Sequence, residues 1–181
     1  MRTLILLISA LAFTFFYFSS HKALDNKFGK DIWMADFRVY YEAANNNFDY
    51  YTVTDQAGYN GKAQWIYHNW TSIFWKPFTL LKYETARTLW YILSVFASLF
   101  IIKKLLEIQH GWILLLPTYK VISLSLQFGN VYPILTAISF IPAGMVLASL
   151  VKPTYYILLV VWFATKSIRD YKEWRKLLPT K

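Results

Sequence analysis

The chain contains no cysteine. Disulfides, thiolate nucleophiles and cysteine-held metal sites are therefore excluded. Histidine is nearly as scarce: His21, His68 and His110 are the only three, far apart and in no HExxH or HxxxH pair. No zinc site is expected from them. Ten acidic residues stand against nineteen Lys and Arg. Asp25, Asp31, Asp49 and Asp55 are scattered among turns and no D-x-D pair occurs, so no metal and no other cofactor is expected. A glycine-rich phosphate loop and a Ser-His-Asp set are also missing. Only 16% of residues are charged, against about 25% in an ordinary soluble domain.

Apolar and aromatic residues take that place. The 181 residues are 56% hydrophobic and 20% aromatic, where a soluble domain is about 45–50% apolar. Trp, Tyr and Phe in such number suit membrane–water interfaces, where amphipathic rings sit at headgroup level. The length allows one domain, residues 1–181. The net charge is +9, and Lys166, Arg169, Lys172, Arg175, Lys176 and Lys181 crowd the end against Asp170 and Glu173. A basic stretch after an apolar run reads as a cytoplasmic anchor, not as a nucleic-acid patch.

The apolar runs set the organisation. Leu4 to Phe18 is uncharged, follows Arg2, and with Thr3 and Ser19–Ser20 spans residues 3–20, long enough to cross a bilayer. The alternative is a signal peptide, but no A-x-A-like cleavage site follows; the exit reads SSHKALDN. Residues 21–85 form a polar and aromatic loop. Within it Phe37, Tyr40, Tyr41 and Ala44 fall at helical spacing, predicting a helix from Ala35 to Asn46 with Asp36 in its first turn. Trp65 to Leu81, with Pro77 inside, reads as interfacial. Residues 86–102 are a second span closed by Lys103–Lys104, and 111–126 a third. Pro117 predicts a kink there, and Lys120 a cavity or snorkelling, because a lysine at depth costs about 2.5–3.5 kcal/mol.

Charge orients the spans. Arg2 and Lys103–Lys104 mark cytoplasmic ends, which puts residues 21–85 outside and Gln127-Phe128-Gly129-Asn130 at the outer face. If residues 131–151 crossed fully, the basic tail at 168–181 would end outside. A broken re-entrant hairpin over 131–151, interrupted at Pro142 and Gly144, resolves the parity and leaves 154–167 as a fourth span. On this topology Asp36, Arg38, Glu42, Asn130 and Lys152 all reach the outer surface.

Several short motifs accompany that constellation. The run D-F-x-V-Y-Y-E-A-A at Asp36 to Ala44, then Phe48-Asp49-Tyr50, resembles the first outer loop of family-87 glycosyltransferases, polytopic GT-C enzymes with polyprenyl-phosphate sugar donors. Further resemblances follow in order: Lys76-Pro77-Phe78, Leu80-Leu81, Ala86 with Leu89-Trp90, then Ala143-Gly144, Leu147-Ala148 and Lys152-Pro153. Gly129-Asn130 stands where the family has Gly-Gln, and Tyr67-His68-Asn69-Trp70 where it has Tyr-x-Pro-Pro. The chain stops where family members continue with more spans, so it resembles their N-terminal module.

The resemblance implies an all-α polytopic membrane protein. It would be a GT-C-like helical module with about four full spans, a broken re-entrant hairpin and an outer-face helical loop. It implies a multi-pass protein, of the plasma membrane, moving a hexose such as mannose from a polyprenyl phosphate to a lipid or glycan hydroxyl outside the cytoplasm, with inversion. Asp36 matches the family's catalytic base; its other reading is an N-cap. Lys152, at a backbone break, is the candidate for the donor phosphate, or a lysine snorkelling at a helix end. Arg38 would fork onto the same phosphate or pair with Glu42 at i+4. Asn130 and Gln127 would bond sugar hydroxyls or satisfy backbone at a helix end. Tyr40 and Tyr41 would stack on a sugar or belong to an aromatic belt. Membrane lipids, the donor, the acceptor and a partner chain or oligomer completing the site are the expected partners. A noncatalytic accessory subunit and a small transporter, with Lys120 and Lys152 along its path, are the competing readings.

Overall fold

The computed structural model describes residues 2–28, 33–45, 52–53, 63–64, 69–108, 110–152, 155, 157, 160–161 and 163–166. Part of the expected fourth span, the whole basic tail, His68, Pro153 and the Phe48-Asp49-Tyr50 motif lie outside them. The described chain is all-helical but for a two-residue antiparallel pairing of Thr52–Val53 with Ala63–Gln64. It divides into two compact units, Met1–Ala137 and Ile138–Lys181.

Two helices of the first unit are long and apolar enough to cross a membrane. Helix α1, Arg2–Phe28, has 27 residues and no glycine or proline to interrupt it, so it runs about 40 Å. Its 18-residue stretch Arg2–Ser19 is only 11% buried, and Leu4, Leu7, Leu11 and Phe15 are exposed. Contiguous apolar exposure of this kind marks contact with something other than water. The polar side chains of that stretch fit the same surroundings. Ser9, Thr14 and Ser19 donate to the carbonyls of Ile5, Ala10 and Phe15 at 2.8, 2.9 and 2.9 Å, so these three hydroxyls need no water.

Three segments follow. Helix α2 is Ala35–Asn45 and buries Phe37, Tyr40 and Ala44 of the predicted stripe, with Tyr41 half-buried. The stretch expected to be interfacial forms two 3-10 helices, Asn69–Phe74 and Lys76–Leu80, with Pro77 at the start of the second. Helix α3, Tyr83–Glu107, runs past both ends of the expected span. It lies antiparallel to α1. Tyr17 meets Thr88 at 3.3 Å, and the Tyr91 hydroxyl donates to the Phe13 carbonyl at 2.7 Å.

A 3-10 turn at Gly111–Leu114 leads into α4, Leu115–Phe128. Pro117 therefore falls in the first turn of α4 and not at mid-helix. Its missing N–H removes nothing there, because first-turn amides have no partner inside the helix. Lys120 is exposed on the surface of α4. Helix α5 is Tyr132–Ser139 and α6 is Pro142–Val151.

A helix break stands at Phe140–Ile141, where Ile141 is extended and Pro142 begins the next helix; Gly144, also expected to interrupt the segment, lies inside α6. Its glycine has a steric role: a Cβ on Gly144 would fall on the Ile138 carbonyl oxygen. Gly111 repeats the arrangement against the Leu105 carbonyl oxygen. Gly144→Ala is therefore expected to lower stability by about 1–3 kcal/mol, the cost of overpacking, measured as a lower melting temperature in detergent. Ala143→Ser, at an exposed neighbour, should leave that temperature unchanged.

Candidate functional site

The corner between α4 and α5 organises the first unit. Gly129 closes α4 in the left-handed region, at φ 68°. The Asn130 N–H returns to the Ser125 carbonyl at 2.8 Å and the Gly129 N–H to Leu126 at 3.4 Å. Together these are a Schellman closure, which satisfies carbonyls at a helix end. No side chain fits at Gly129, since a Cβ would lie 2.8 Å from the Cβ of Phe37 and 3.0 Å from that of Met34. The start of α2 is thus seated on the end of α4. Met34 donates its N–H to the Gln127 carbonyl at 2.8 Å. Met34 itself is fully buried with φ 60°, a strained conformation for a side chain of this size, held by its surroundings.

This seating joins the two residues of greatest chemical interest. Asp36 lies in the first turn of α2 and Asn130 directly follows the glycine. The Asn130 Nδ2 donates to the Asp36 carboxylate at 2.6 Å, across 94 residues of sequence. The other end of the amide is also engaged: its Oδ1 accepts the Tyr132 N–H at 3.1 Å. The orientation of Asn130 is therefore fixed, and its amide aims at the acid. Asp36 is half-buried. It is one residue inside the helix and not at the N-cap position, which Met34 takes; helix α2 still favours its negative charge there.

Arg38 pairs with Glu42 at 2.6 Å, the i+4 partner. Its guanidinium also lies 5.9 Å from the Tyr83 ring centroid. Arg87 approaches the same ring at 5.5 Å and pairs with Glu84. Arg87 is buried at 4% exposure and stands in the first turns of α3, where the helix dipole disfavours a cation; the pairing with Glu84 offsets this. The sequence reading does not single out Arg87. The available signal was an arginine just inside an expected span, where charge is costly and marks a site.

The remaining candidates separate. Tyr40 is buried at 3% exposure, stacked on Trp75 at 4.3 Å, which leaves its ring no surface for a sugar. Tyr41 donates to the Leu81 carbonyl at 2.8 Å. Gln127 contributes its backbone carbonyl to Met34. Lys76 donates to the Ala44 carbonyl at 3.1 Å, a cation at the end of α2 where the dipole favours one. Lys152 belongs to the second unit. It closes α6, its N–H bonded to Ala148 at 2.9 Å and its carbonyl accepting from Tyr155 at 3.0 Å. Among the described residues no three His, Asp or Glu side chains converge.

Trp90 supports the corner from below. Its Nε1 donates to the Gly129 carbonyl at 2.9 Å, fully buried, and its ring stacks on Phe37 at 5.5 Å. Trp90→Phe keeps a ring and leaves a buried carbonyl without its donor. It is expected to cost about 1–3 kcal/mol, checked by thermal unfolding in detergent against Trp112→Phe, an exposed site that should be neutral. Compared with protein-family models, curated proteins and solved structures, the chain matches none of them.

Proposed function

We propose that this chain is a multi-pass plasma-membrane glycosyltransferase of the GT-C type. It moves a hexose, such as mannose, from a polyprenyl phosphate to a lipid or glycan hydroxyl on the non-cytoplasmic face. One observation carries the reading. An acid and an amide, 94 residues apart, meet at 2.6 Å beside the first turns of α3, while Lys103 and Lys104 stand near its other end. A carboxylate held in a fixed orientation at the interfacial end of apolar helices is what deprotonating a hydroxyl next to a lipid-borne donor requires.

In this reading Asp36 takes the proton from the acceptor hydroxyl. The acceptor oxygen attacks the anomeric carbon opposite the phosphate, a C–O bond forms, and the bond to the phosphate oxygen breaks. The polyprenyl phosphate leaves with the electron pair and the anomeric centre inverts. General-base help of this sort contributes about 10²–10⁴-fold. Arg38, which pairs with Glu42 on the same helix, is the cation assigned to the leaving charge in this reading. Asn130 is a positioning residue, since both ends of its amide are engaged. The second reading is a noncatalytic accessory subunit. It is favoured by the same hydrogen bond, which also ties α2 to the corner of α4 and so serves the fold.

Asp36→Asn separates the two readings. The glycosyltransferase reading expects transfer from a polyprenyl-phosphate hexose to fall at least about 100-fold with melting temperature little changed. Absence of transfer by the wild-type chain, with the variant melting lower, supports the accessory reading. Asn130→Asp puts a second carboxylate against the first, and like charges oppose ionisation. The acid limb of the transfer–pH profile is expected to move to higher pH, a shift that a purely structural role for Asn130 would not produce.

A further inference from the structure

The antiparallel packing of α1 and α3 gathers charge at the end of the unit away from Asp36. Arg2 opens α1 and Lys103 and Lys104 stand in the last turns of α3; Arg2 and Lys103 are exposed. All three cations act on one carboxylate, Glu107, which accepts from Lys104 at 2.7 Å. Three positive charges against one negative leave a net charge of about +2 in this cluster.

The chain adds an apolar rim to the same end. Gly111 lies on the Leu105 carbonyl, so the 3-10 turn Gly111–Leu114 folds back over the end of α3. It displays Trp112 at 65% exposure and Ile113 at 57%, beside Ile108 at 54%. An exposed lysine beside a half-buried one, an exposed arginine and an exposed indole at the end of two apolar helices fit one kind of ligand. That ligand carries a negative headgroup at the level of the charges and an acyl chain alongside the apolar residues.

We infer that Arg2, Lys103, Lys104 and Trp112 form a binding site for the headgroup of an anionic phospholipid, at the opposite end of α3 from Asp36. The headgroup phosphate sits among the cations, Glu107 keeps Lys104 extended, and Trp112 and Ile113 cover the first carbons of the acyl chains. The site rests only on α1 and α3 crossing a bilayer. It is separate from sugar transfer, so failure of a transfer assay leaves it standing.

The test is native mass spectrometry of the full chain, extracted from nanodiscs of equal phosphatidylglycerol and phosphatidylcholine. Wild type is expected to retain phosphatidylglycerol preferentially. Each lysine near an anionic surface contributes roughly five-fold, so Lys103→Gln with Lys104→Gln should lower the preference about 30-fold. Trp112→Ala should shorten retention of both lipids without changing the preference. Unchanged melting temperature and elution volume establish that the variants are folded. Equal retention of the two lipids by wild type overturns the inference. So does a preference that survives in the double variant and disappears on removing residues 168–181, which assigns it to the basic tail.

Discussion

The left-handed turn at Gly129 is the constraint on which the first unit depends. It ends α4, directs α5 away, and brings the backbone close enough to Met34 and Phe37 that no side chain fits between them. Two buried interactions hold it: the Trp90 indole on its carbonyl and the Met34 N–H on Gln127. Asp36 and Asn130 meet because each is rigidly attached to one side of this contact. A site supported by helix ends and a buried hydrogen bond is better fixed than one carried on a loop.

The two ends of α3 divide the chemistry of the unit. At the start, the guanidinium groups of Arg38 and Arg87, each with its own glutamate, approach the Tyr83 ring, which stacks on Phe37. At the finish, cations outnumber carboxylates. Between them the helix exposes Ile92, Leu93 and Phe96 and returns the Ser98 hydroxyl to the Ser94 carbonyl. Polar groups are thus collected at the ends or closed upon the helix, the economical solution where water is absent.

Much of this was legible in the residues. The 3.6-residue stripe of α2 and the apolar lengths of α1 and α3 mark the helices directly. Helix α3 extends beyond residues 86–102 because hydropathy reports where lipid-compatible residues stop, whereas the backbone continues through Lys103, Lys104 and Glu107. Pro117 was expected to bend a helix that in fact begins beside it. The meeting of Asp36 with Asn130 was foreseen only as a shared face. The hydrogen bond itself depends on what packs against Gly129, and a Gly-Asn pair signals a turn without naming its neighbour. The role of Trp90 was hidden for a similar reason, since an indole in an apolar helix reads as bulk until its N–H finds an acceptor. Tyr40 read as an aromatic belt residue before a sugar platform, and its burial against Trp75 is tertiary.

Gly111 and Gly144 each sit six positions after the carbonyl they touch, Leu105 and Ile138. The backbone changes course there with almost no spare length. One residue inserted between either pair would rotate the following helix by about 100°, carrying its exposed side chains inward and its packed ones outward. Lengthening of the chain is therefore tolerated poorly at these two corners. They set the angular phase of α4 and α6 as firmly as the packing of the helices themselves.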